Sequence, residues 1–148
     1  MSTASAGPAG YSGTALPRKL GIVPGSRVLV VGLPRGWDAE QLDPKRVAQV
    51  SRRAAPSGTG AAYDVVVAFC PGRAALQRHL ARALPLTSQQ GRLWLCWPKK
   101  SSGVPTDLDE AEVRRAGLAA GVVDVKICAV DATWSGLCFM TRRRDRSP

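Results

Sequence analysis

The chain has 148 residues, is 45% hydrophobic, and carries a formal charge of +10 from 21 Lys and Arg against 11 Asp and Glu. That length suits one domain with a real core, and no apolar run approaches the ~18 residues of a membrane span. The charge excess favours phosphates or an acidic partner. The arginines are nonetheless scattered, with one tight group at Arg142, Arg143, Arg144 and Arg146, so a solvated basic surface ranks ahead of a nucleic-acid groove.

Residues 1–12 are small and polar, with neither the basic start nor the apolar centre of a secretory signal. They read as a disordered tail, and a cytoplasmic protein is expected. A single α/β domain is expected over 13–143, with a basic tail over 144–148. A short helix follows over 14–20, capped by Thr14, with Pro17 tolerable near its start and Gly21 at its left-handed end. Pro24-Gly25 is a turn. Arg27–Val31 is then a continuous Val/Leu run, the pattern of a strand covered on both faces.

Gly32, Pro34 and Gly36 form the turn that follows. Asp38 and Gln41 have capping-box spacing for a short helix that Pro44 ends. Residues 46–53 alternate weakly and read as an edge strand. Residues 63–70 (YDVVVAFC) form a second buried strand. An amphipathic helix occupies 73–84, with Leu76, Leu80, Ala83 and Leu84 on one face and His79 at its border. A turn at 89–91 leads to a third buried strand at 93–97, then a loop over 98–105. Thr106 or Asp107 caps a helix reaching about residue 120, with Asp109, Glu110 and Glu112 in its first turn. Two closing strands, 122–131 and 136–142, must pair antiparallel across a short turn. Strands alternating with helices imply a Rossmann-like, mainly parallel sheet with helices on both faces and a C-terminal antiparallel hairpin.

Four cysteines, Cys70, Cys96, Cys128 and Cys138, sit apart in apolar runs. They read as reduced core thiols, and the chain has no clustered ligands for a metal. With His79 as the single histidine, a Ser-His-Asp or Cys-His mechanism has no pattern to rest on. A general base among Asp38, Asp64, Asp107 or Asp131 has no supporting pattern either. Asp64 reads as a backbone partner at a strand start.

The loop WPKKSSGVPTD leaves the carboxyl end of a parallel strand, where open α/β sheets place ligands. Lys99 and Lys100 supply charge, Ser101, Ser102 and Gly103 hydroxyls and free backbone. The next helix points its N-terminus at the loop. Arg35 and Gly36 lie in the first turn, with Trp37 and Trp134 as an apolar wall. These nine residues are the candidate anion or ligand site. The bland alternative is that the lysines are solvated, the tryptophans pack, and the rest makes turns.

A parallel sheet closed by an antiparallel hairpin resembles the class I S-adenosylmethionine-dependent methyltransferase fold. LGIVPGSRVLVVG resembles the entry of such domains, YDVVVAFC their fourth strand, GRLWLCWPKK their fifth, and residues 116–143 their last helix and hairpin. Gly32 and Gly36 match the outer glycines of the cofactor turn. Val30 stands where the family carries an acid, and Pro34 replaces the middle glycine. Glu40 and Asp43 come too early to hold ribose hydroxyls. The resemblance therefore implies a truncated, degenerate methyltransferase fold. From it we expect a protein leaning away from catalysis, with no cofactor, that binds an anionic small molecule or a protein partner. Methyl transfer from S-adenosylmethionine and nucleic-acid binding are the competing readings. More closely, residues 11–144 resemble a bacterial family of unknown function, 3052. The resemblance rests on Tyr11-Ser12-Gly13-Thr14, Trp97-Pro98-Lys99-Lys100, Thr106-Asp107-Leu108 and Trp134-Ser135-Gly136-Leu137 among others.

Overall fold

The computed structural model describes residues 15–42, 49–51 and 63–146. The tail at 1–12 and the Thr14 cap lie outside them. Helix α1 (Leu16–Leu20) carries Pro17 in its first turn and ends at Gly21, whose φ is +81°. Ile22 N donates to the Pro17 carbonyl at 2.8 Å, closing the helix end as the glycine predicts. Strand β1 (Arg27–Val31) leads to a 3-10 turn, Ala39–Leu42, then β2 (Gln49–Ser51) and β3 (Tyr63–Phe69). Helix α2 (Arg73–Ala83), β4 (Thr87–Pro98), α3 (Glu110–Ala119), β5 (Val122–Ala129) and β6 (Trp134–Thr141) complete the order.

The six strands form one sheet, ordered β2-β1-β3-β4-β6-β5. The first four are parallel, while β6 runs antiparallel to both β4 and β5. Side chains alternate between two cores. Leu29, Val66 and Leu95 face α2 and α3, joining Leu76, Leu80 and Val113. Val28, Val65, Val67, Phe69 and Trp94 face the other side, with Leu16 and Leu20 of α1 and Leu42. Both faces are covered, which is why these strands show no polar alternation. The expected architecture is the observed one.

Several local expectations are corrected. The turn expected at 89–91 lies inside β4. The β3–β4 register shifts between Tyr63 and Val65, so the extra residues are absorbed as a bulge rather than ending the strand. Asp38 heads a 3-10 turn, and its Oδ1 accepts from Glu40 N at 2.9 Å, one residue short of capping-box reach. The cap of α3 is Asp109, whose Oδ1 accepts from Glu112 N at 2.8 Å. Thr106 and Asp107 instead serve α2: Thr106 Oγ1 donates to the Pro71 carbonyl at 2.8 Å, and Asp107 Oδ1 accepts from Arg73 N at 2.7 Å. Asp64 does meet backbone at a strand start, accepting from Arg27 N at 2.8 Å. Among the described residues, no helix is long and apolar enough to cross a membrane.

Candidate functional site

The parallel strands β1, β3 and β4 deliver their following loops to one edge of the sheet. Because β6 is antiparallel to β4, with Pro98 opposite Trp134, the β5–β6 turn reaches the same edge. Phe69, the last residue of β3, is the centre. Trp37 packs on it at 5.0 Å between ring centroids and Trp134 at 5.2 Å, the latter edge-on at 81°. Asp131 joins the loops. Its Oδ1 accepts from Thr133 N and Trp134 N, both at 2.8 Å, while its Oδ2 accepts from Trp37 Nε1 at 3.1 Å. Lys99 N donates to the Thr133 carbonyl at 2.8 Å. Trp37, Trp134 and Lys99 of the candidate set therefore stand around one hydrogen-bonded turn.

The remaining candidates flank it. Trp37 N donates to the Pro34 carbonyl at 3.0 Å, leaving Arg35 and Gly36 exposed at the tip of the first loop. Lys100–Ser102 form a 3-10 turn ended by Gly103 at φ +77°. Ser102 Oγ donates to the Lys99 carbonyl at 2.6 Å and accepts from Val104 N at 3.2 Å, so this hydroxyl holds the turn. Lys100, Ser101 and Gly103 are exposed.

The two outer glycines of the first turn behave differently. A Cβ on Gly32 (φ +70°) would stand 2.7 Å from the Phe69 carbonyl oxygen and 2.7 Å from His79 Nε2, so the protein's own packing requires this glycine. Gly36 (φ +80°) has no atom within 4 Å of where its Cβ would be. Val30, at the family's acid position, is fully buried in the α1-side core. His79, expected only at the border of the apolar face of its helix, is carried by α2 against this turn. Burial, then Arg78 and Arg82, hold its pKa below the ordinary 6.5, so it faces the turn as neutral imidazole. Phe69 and Asp131 were also missed as site residues. Asp131 two residues before Thr133 has the spacing of an Asx turn, which was the available signal.

All four cysteines are free thiols, as expected. Burial pushes Cys70 and Cys138 up to about 12, which removes them as nucleophiles at neutral pH. Among the described residues no cluster of metal ligands occurs. A groove of about 230 Å³ lies between α2 and α3, lined by Leu76, Leu108, Ala116 and Ala119 and bounded by Arg73 and Glu112. It is on the opposite face of the sheet from the aromatic cluster.

No protein-family model and no curated protein matches the chain, so the resemblance to family 3052 stays a reading of the sequence. Solved structures do match. A TehB-like S-adenosylmethionine-dependent methyltransferase from Corynebacterium glutamicum superposes with a TM-score of 0.54 at 11% identity, covering 90% of this chain and 91% of that one. A ribosomal protein L11 methylase from Lactobacillus delbrueckii gives 0.60 at 10% identity, covering 87% and 75%. The DhpI–SAH complex gives 0.53 at 12% identity, covering 87% and 83%. These neighbours overturn two expectations, a chain leaning away from catalysis and a chain with no cofactor: enzymes of this fold use S-adenosylmethionine, and one is described with SAH. At these identities the likeness establishes the fold, and this chain is a methyltransferase-like Rossmann α/β protein.

Proposed function

We propose that this protein is an S-adenosylmethionine-dependent methyltransferase, with the cofactor at the loop after β1 and an anionic acceptor at the loop after β4. The observation that carries the reading is Gly36, exposed at the sheet's carboxyl edge, in a left-handed conformation with open space before it. A glycine in that state lets a ligand approach the backbone closely, and a side chain there would both strain the turn and close the approach.

The residues around Gly36 fit the zwitterionic amino-acid end and the ribose of that cofactor. The exposed Arg35 guanidinium suits its carboxylate. Asp38, exposed at the head of the 3-10 turn, offers a carboxylate to ribose hydroxyls. Trp37 presents a half-buried apolar wall. When bound, the cofactor supplies an electrophilic methyl group.

The rest of the work falls to the chain. Lys99 and Lys100 hold the acceptor's charge, with the Ser101 hydroxyl and the Gly103 backbone as further partners. Ser102 fixes the shape of that loop. Asp131, satisfied by three donors, positions Trp37 and Trp134, which keep water from the floor of the site.

Calorimetric titration with S-adenosylmethionine tests the proposal. Wild type is expected to bind, and Gly36→Val to lose at least about 1.4 kcal/mol, a tenfold weakening. The double variant Lys99→Glu, Lys100→Glu should retain cofactor binding and lose stabilisation by inorganic phosphate. Absence of cofactor binding to wild type, or equal binding by Gly36→Val, contradicts the reading.

A further inference from the structure

Around α3 the cations are paired: Arg73 with Glu112 at 2.5 Å, Arg115 also with Glu112, and Arg114 with Glu110 at 2.9 Å and Asp124 at 3.0 Å. A second group of cations lies away from α3. Near the carboxyl end of α1, Lys126 Nζ donates to the Lys19 carbonyl at 3.2 Å, and the Arg92 side chain lies against Gly21. Lys126 stands opposite Cys138 and Ile127 opposite Leu137, so the lysine faces the α1 side and the exposed Ile127 the α3 side.

Strand β6 then carries the chain to the amino edge of the parallel strands. There Arg143–Asp145 form a 3-10 turn. It is held by Arg146, whose Nε donates to the Thr141 carbonyl at 3.0 Å and whose Nη1 donates to Gln90 Oε1 at 3.5 Å. Arg27 is exposed at the same edge, at the start of β1. Among the described residues, Arg27, Arg92, Arg142, Arg143 and Arg144 make no ion pair.

We infer that this surface, running from the end of α1 across the amino edge of the sheet, binds the phosphate backbone of a nucleic acid. It lies at the end of the sheet opposite Gly36 and Lys99, so it is separate from the proposed methyl-transfer site and does not depend on it. The composition argues for phosphate. The patch is mostly arginine, whose planar fork meets phosphate oxygens in pairs. Asp64 and Asp145 lie at the same edge, but among the described residues neither forms an ion pair with these arginines, so the arginines can displace counterions from a polyanion. The arginine run is also folded against the sheet by Arg146, which fixes several of these charges in one place and spares the entropy of ordering a free tail.

Fluorescence anisotropy with labelled single-stranded RNA and duplex DNA over a salt series tests this. Both arms are expected to bind at low salt, the tighter one naming the preferred polymer, with affinity falling linearly on logarithmic axes. Replacing Arg142, Arg143 and Arg144 by Ala should lower the single-strand slope by roughly 2, at about 0.7 per cation removed. Removing three cations at the other edge, by Arg35→Ala, Lys99→Ala and Lys100→Ala, should leave the slope unchanged. Should the first triple variant unfold by circular dichroism, Arg92→Ala gives the same test with a fall of about 0.7. The inference is overturned by no binding to either polymer at low salt, by equal weakening in the two triple variants, or by equally tight binding to polyglutamate or phosphatidylserine vesicles.

Discussion

His79 is the residue whose placement says most about the site's local chemistry. Its imidazole fills the space beside Gly32, and burial together with Arg78 and Arg82 disfavours its charged form. The sign follows from linkage: a histidine with a lowered folded pKa contributes stability above its unfolded value, near 6.5, and loses it as pH falls through that value toward the folded one. Urea unfolding at pH 7 and pH 5.5 should therefore show wild type weakening on acidification more than His79→Gln. Equal losses would place the acid sensitivity elsewhere. The thiols give a second test. Cys128 is half-buried and lies near Lys19 and Lys126, which oppose the upward push of burial, whereas Cys96 is wholly enclosed. Mass spectrometry after brief alkylation should find Cys128 modified first, and modification of Cys96 only on unfolding. Little of this was legible in the sequence. The buried character of the cysteines followed from their apolar runs. The seat of His79 did not, because its partner lies across a sheet crossing, and neither did the Trp37–Asp131 bond, which spans 94 residues.

Among the elements, the loop between β4 and α3 has two jobs. Asp109 caps its own helix and Asp107 caps α2 at Arg73 N. Asp107→Ala should cost about 1 kcal/mol, the usual loss for a helix cap, read as a lower denaturant midpoint with an unchanged slope. Gly117 makes the contact of α3 with the sheet: a Cβ there would overlap the Phe139 ring. Gly117→Ala should cost about 1–3 kcal/mol as overpacking, and a neutral result would show that α3 can lift off β6. The valine runs of β1 and β3 and the apolar stripe of α2 were readable from the residue pattern. The amino half of β4 was not. TSQQGR has no apolar pattern, and it is strand because β3 offers a ladder beside it, with a bulge absorbing the mismatch. Cap assignment failed for a related reason: Thr106 and Asp107 are cap residues by type, but the helix they serve precedes them in the chain.

At the scale of the whole molecule, the hairpin order of the last two strands was enough to read the methyltransferase-like sheet. The same reading took Val30 and Pro34 as signs of a lost cofactor site, and the structural neighbours correct it. The position of Val30 belongs to the core rather than the edge, so its lack of charge says little about the loop, while Gly36 keeps the open backbone such a loop needs. Net charge was countable from the start, but the ion pairs around α3 and the group of arginines at the amino edge emerged only with the fold. The central claim is that the carboxyl edge at Gly36 holds S-adenosylmethionine. A crystal structure grown with S-adenosylhomocysteine tests it most directly: the account predicts density against residues 32–38, with the ligand carboxylate at Arg35, and density confined to the α2–α3 groove, or none at saturating ligand, would contradict it.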